Sequence, residues 1–154
     1  MLFAKILRLA AISVAAVLIS AAASAHVTVQ PKEAELGETV IYTIRVPSEG
    51  KVATTIVELQ IPKDVTILSV EGPADSHEQR KLGSRIASIV WMSTIPPGEV
   101  REFKFEARNP ASGTELVWKA HQLFEDATRS DWVEAKGGKR PASVTQLKRA
   151  ARQN

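Results

Sequence analysis

The chain has 154 residues, with 20 basic and 17 acidic side chains and no cysteine. That length suits one domain plus a targeting segment and is too short for two ordinary domains. Without cysteine there are no disulfides, no catalytic thiolate, and no thiolate ligand for a blue-copper centre, an iron–sulfur cluster or a structural zinc knot.

The chain opens with "MLFAKILRLAAISVAAVLISAAASA", in which Lys5 and Arg8 precede an apolar run from Leu9 to Ile19 and the run ends in Ala23-Ser24-Ala25. A charged start, a short apolar stretch and an A-x-A end make a secretory signal peptide, and the run is short for a membrane span. Cleavage after Ala25 is expected to leave His26 as the first residue of the finished protein. Cleavage a residue or two away, or retention as an anchor, are the alternatives. Removing residues 1–25 leaves 18 basic against 17 acidic residues, so no general attraction to nucleic acid is expected. No second long apolar run follows, and no stable membrane insertion of the mature chain is expected. These features imply export, to a bacterial periplasm or by free secretion.

Strand signals then dominate in chain order. "TVIYTIRVP" alternates Val40, Tyr42, Ile44 and Val46 against Ile41, Thr43 and Arg45, the period of a half-buried strand. "TTIVELQIP" sets Val57, Leu59 and Ile61 on one face, and the period recurs in "SRIASIVWM", "VREFKFEAR" and "TELVWKAHQLF". Between them lie "PSEGK", "IPKD", "EGPADS", "IPPGE", "RNPASGT" and "KGGKRP", all turn or breaker clusters. About seven short strands, frequent turns and almost no helical periodicity predict an all-β, antiparallel two-sheet sandwich of cupredoxin-like or immunoglobulin-like type. The domain is expected over 26–146, with 147–154 as a flexible basic tail.

A terminal histidine is chemically distinctive, because its free amine and its imidazole Nδ1 can close a chelate ring on one metal ion. The amine's reference pKa of roughly 7.7–8 lets a metal displace its proton near neutrality. Two nitrogens plus an oxygen suit copper(II), while copper(I) usually takes soft sulfur and the mature chain has only Met92. Trp91 and Trp118 lie in strongly apolar strands and are expected in the core. His77 falls in a polar loop and His121 in a strand, and neither reads as a clear second ligand. No G-x-S-x-G, G-x-x-x-x-G-K or G-x-G-x-x-G occurs, so no hydrolase, phosphate-loop or dinucleotide chemistry is indicated, and no enzyme activity is expected.

From His26 onward, "HVTVQPKEAELGETVIYTIRVP", "IPPGEVREFKFEAR", "LVWKAHQLFEDATRSDWVEA" and "KRPASVTQ" resemble the YcnI-like family of exported copper-binding proteins. The opening "HVTVQP" and the "W-K-A-x-Q…W" pair are the most specific parts. The resemblance implies a single-histidine brace for copper(II), with His26 as amine and imidazole donor, Glu102 as the matched carboxylate and Trp132 beside the metal. Glu99, Glu106 and Glu33 stand as substitutes for Glu102, since spacing does not choose among them. It also implies a role in copper handling, as metallochaperone or store, with a copper donor or acceptor protein in the same compartment. The rival readings are an immunoglobulin-like interaction module without a metal role and a copper oxygenase with a second imidazole, for which His121 would be tested.

Overall fold

The computed structural model describes residues 26–151; the expected leader, 1–25, lies outside the described residues. Among the described residues there are twelve strands: β1 (Thr28–Gln30), β2 (Glu33–Glu35), β3 (Thr39–Pro47), β4 (Thr54–Gln60), β5 (Thr66–Val70), β6 (His77–Leu82), β7 (Arg85–Ile95), β8 (Val100–Arg108), β9 (Glu115–Trp118), β10 (Ala120–Phe124), β11 (Arg129–Trp132) and β12 (Ser143–Lys148). They form a four-stranded sheet in the order β1-β3-β8-β5, a five-stranded sheet in the order β11-β10-β4-β7-β6, and a three-stranded sheet in the order β2-β12-β9. No described helix is long and apolar enough to cross a membrane.

The alternation read from the sequence sets which face of each strand is buried. Tyr42, Ile44 and Val46 of β3 are fully buried while Ile41, just before them on the other face, is 64% exposed. Val57 and Leu59 of β4, with Ile61 just beyond it, point into the same core. Burial of apolar side chains from two facing sheets is what holds a sandwich closed. Trp91 of β7 stacks on Phe103 of β8 at 5.0 Å between ring centres, which joins the larger sheets. Tyr42 contacts Phe105 at 5.6 Å and Trp118 at 4.9 Å, which ties the third sheet to that core. Both tryptophans expected in the core are buried there.

Three features differ from the sequence reading. The expected seven strands are outnumbered because β1, β2, β5, β6, β11 and β12 are short or polar, with few apolar side chains to mark their inward positions in the sequence. The pairing is antiparallel except at β12, which returns from the far end of the chain and runs parallel beside β2. Strand β12 also runs past residue 146: Leu147 is buried, and Leu147 and Lys148 pair with Ala34 and Glu35, so these two residues are part of a sheet. The physical reason is that Leu147 supplies one more inward position in the strand's alternation.

"TELVWKAHQLF" is the instructive case. It reads as one strand, but the chain changes sheets at Lys119, β9 pairing with β12 and β10 with β4 and β11. The segment therefore delivers Trp118 to one sheet and Gln122 to another, and Gln122 is central to the site described next.

Candidate functional site

His26 is exposed, and the residues that follow fix its position. Val27 and Val29 are buried, and β1 pairs with β3 from Thr28 onward. The Val29 amide donates to Ser143 Oγ at 2.8 Å, so β12 holds β1 through a buried side chain as well as through packing. Lys32 Nζ donates to the same oxygen at 2.7 Å, and burial lowers the Lys32 pKa below its ordinary value.

Trp132 lies at the end of β11, the edge strand of the five-stranded sheet, and is 7% exposed. Its ring meets the His26 imidazole edge to face, with centroids 5.6 Å apart and planes at 65°. The indole is held by a buried polar chain. Its Nε1–H donates to Gln122 Oε1 at 2.7 Å, and Gln122 Nε2 donates to the Pro47 carbonyl at 3.0 Å and to Thr54 Oγ1 at 3.2 Å. This gives a physical account of the "W-K-A-x-Q…W" pattern: Ala120 faces Trp132 across the strand pair, and Gln122, one inward position further, supplies the acceptor that a buried indole N–H requires.

An open groove of about 720 Å³ lies at His26, and its wall includes the carboxylate-bearing Glu115 and Glu134 together with Lys32, Lys136, Val117 and Val133. Glu134 Oε2 accepts the Lys139 amide at 2.9 Å, and Glu115 Oε2 accepts from Gln146 Nε2 at 3.3 Å. Neither glutamate carried a sequence signal, since both sit in segments that read as strand end and turn. Only the folding of β9 and the loop after β11 toward β1 brings them to the histidine.

The structure thus brings His26 and Trp132 together and does not bring Glu102 to them. Glu102 sits on β8, two strands from β1, in the register row Thr28–Arg45–Glu102, and lines a separate groove with Glu71, Ser76 and Trp91. Of its substitutes, Glu33 is paired to Lys148, Glu106 lines a groove with Ile41 and Ser69, and Glu99 lies in the β7–β8 turn. None of the three lines the His26 groove. Among the described residues no group of three or more histidine, aspartate or glutamate side chains is arranged to hold a metal ion.

His121 occupies the opposite face of β10 from Gln122. Its Nδ1–H donates to Asp131 Oδ1 at 2.5 Å, since a carboxylate can only accept, and its Nε2 lies 2.9 Å from the Gln60 amide nitrogen. The His121 hydrogen bond, with Arg129 beside it at 2.7 Å, holds the Asp131 carboxyl below the usual range. The alternation that turns Gln122 and Trp132 inward turns His121 outward, so this imidazole does not join His26. His77, expected in a polar loop, instead begins β6 opposite Trp91 and is half-buried.

Fold and site define an immunoglobulin-like β-sandwich whose first described residue is a histidine packed on a buried tryptophan. Residues 26–151 match the family described as "Domain of unknown function (DUF1775)", and the chain belongs to that family. The chain is 35% identical over 132 residues to the copper-binding protein CutI of Bacillus subtilis (strain 168), a match covering 83% of this chain and 65% of that protein. It therefore spans less than two thirds of that relative's length. The resemblance drawn from "HVTVQP" and "W-K-A-x-Q…W" is borne out by these two matches. Among solved structures, a Nocardia farcinica protein with an immunoglobulin-like fold superposes with a TM-score of 0.69 at 23% identity, covering 80% of this chain and 99% of that one. A cohesin from Acetivibrio cellulolyticus scaffoldin B gives 0.51 at 12% identity, covering 80% and 98%, and both similarities speak to fold alone.

Proposed function

We propose that this chain is an exported, non-enzymatic protein that binds one copper(II) ion at His26 and acts in copper handling, as a carrier or store in the periplasm. Cleavage after Ala25 frees the His26 amine, and amine and imidazole Nδ1 then chelate the ion. The observation that carries the reading is the exposed His26 imidazole held against the locked Trp132 ring beside a groove containing two carboxylates. The similarity to CutI supports copper as the ion.

In this reading Glu134 or Glu115 provides oxygen in place of Glu102, which lines a different groove. Two nitrogens and an oxygen give copper(II) the tetragonal, hard-to-borderline donor set it prefers. Trp132, packed on the His26 imidazole, would limit access of water to a bound ion from one side. A site with so few protein ligands leaves positions open, which permits transfer by ligand exchange with a donor or acceptor protein.

The test is to express the full precursor for export, determine the mass and first residue of the product, and titrate it with copper(II) under electron paramagnetic resonance. A form with one extra residue before His26 is run beside it. The expected result is a stoichiometric nitrogen-coordinated signal only in the form that begins at His26. Equal signals in both forms, or a product that begins elsewhere, would refute the brace. At a hundredfold excess over its dissociation constant, copper should stabilise the fold by about 2.7 kcal/mol, and His26→Ala should abolish that gain.

A further inference from the structure

Resting on the reading of His26 as the copper site, we propose that the loop 134–142 is a docking platform on which an acidic face of the copper-exchange partner protein seats over the His26 groove. The loop carries Lys136, Lys139 and Arg140, all exposed, and among the described residues none of the three makes an ion pair. Lys148, Arg129 and Arg80, by contrast, are paired with Glu33, Asp131 and Glu58, and what sets the loop apart is three cations within five residues beside the His26 groove. Because the mature chain has nearly balanced charge, this is a local patch and not a share of a general basic excess.

The loop is a built frame. The Glu134 amide donates to the Arg140 carbonyl at 3.0 Å, the Ala142 amide to the Glu134 carbonyl at 2.9 Å, and the Gly138 amide to the Ala135 carbonyl at 3.0 Å. The Glu134 carboxylate folds under the loop to accept the Lys139 amide, in space that only a glycine at 138 leaves open: a Cβ there would lie 2.8 Å from Glu134 Cβ. Cations on a preformed frame lose less freedom on binding than cations on a loose tail. Beside them Val117 and Val133, 39% and 37% exposed, form apolar shoulders on the His26 groove. An apolar centre with a charged rim is the composition of a transient protein interface.

The same observations discriminate among occupants. A second copy facing this surface would set one cationic loop against another, which opposes a symmetric dimer. A bilayer is flat where this groove is concave, and the face offers two valines but no tryptophan, phenylalanine or leucine to anchor in headgroups. A protein with acidic side chains meets both the unpaired cations and the recess, and brings its own copper ligands to His26.

The experiment uses protein that begins at His26 and the variant K139E/R140E, which leaves Lys136 in the groove wall untouched. Two short peptides serve as copper acceptors, sharing one chelating histidine head but differing in an acidic or a neutral tail. Copper(II) transfer is followed by stopped-flow fluorescence at low and high salt. Transfer to the acidic-tailed peptide should be at least about tenfold faster at low salt, and the advantage should vanish in high salt and in the variant. The variant's copper resonance should stay unchanged. Equal rates for both tails, or a variant that behaves like the parent, overturns the proposal. In a second arm the acidic tail without its chelating head is titrated into metal-free protein by calorimetry, with binding expected and its loss expected in the variant. That arm needs no copper, so failure of docking is read separately from failure of the His26 site. Retention on phosphatidylglycerol vesicles without binding of the acidic tail overturns the proposal in favour of a membrane surface. Concentration-dependent dimers that the variant abolishes overturn it in favour of self-association.

Discussion

The buried chain from Trp132 through Gln122 to Pro47 makes a quantitative expectation. Gln122→Met keeps the side chain's length and removes its amide, leaving the Trp132 Nε1–H and the Pro47 carbonyl without their partners, while Thr54 Oγ1 keeps its contact with Ser48. Each orphaned buried group costs about 1–3 kcal/mol, and the side chain is 1% exposed, so water does not replace the lost bonds. The sum is roughly 2–6 kcal/mol, which for a domain of this size lowers Tm by about 5–20 °C. Trp132→Phe removes the other end of the bond, and the double variant should cost about 1–2 kcal/mol less than the two single losses added. Denaturant unfolding of the metal-free protein measures all four corners of the cycle. Additivity to within about 0.5 kcal/mol would refute the view that Gln122 exists to satisfy the indole. Copper affinity should fall in both single variants, because Trp132 then no longer holds its place against His26.

Tyr42 gives a pH signature: its hydroxyl donates to Asn109 Oδ1 at 2.6 Å, and burial pushes its pKa up to about 12. The folded state therefore keeps a proton that the unfolded state releases near pH 10, so stability falls as pH rises from about 10 to 12, by roughly 2–3 kcal/mol. Tyr42→Phe should lose about 1–3 kcal/mol at neutral pH, since Asn109 Oδ1 is orphaned, and should lack that alkaline loss. Urea unfolding across the range compares the two, and equal alkaline slopes would contradict the assignment. Gly138→Ala should force Glu134 out from under the 134–142 loop and cost about 1–3 kcal/mol. Amide exchange at Lys139 and Ala142 should quicken, and unchanged protection there would show that the loop does not depend on the glycine.

The sequence by itself determined the class of fold and the inward faces of the strongest strands. A period of two in "TVIYTIRVP" and "TTIVELQIP" leaves Tyr42, Ile44, Val57 and Leu59 one way to escape water, and the sheets obey it. The link between His26 and Trp132 was legible only through resemblance, since no local pattern joins residues so far apart in the chain. What tertiary structure alone decided is the remainder of the groove. Glu102 satisfied every local criterion, an outward glutamate on a strong strand, yet β3 stands between it and β1. Glu115 and Glu134 had no such signal and reach the groove because the chain changes sheets at Lys119 and turns back after β11. Side-chain alternation is a property of neighbouring residues and can be read from them. Which strand edges meet is settled by packing the whole core, where Trp118, Tyr42 and Phe105 close one end and so bring β1, β9 and the loop after β11 to a common rim.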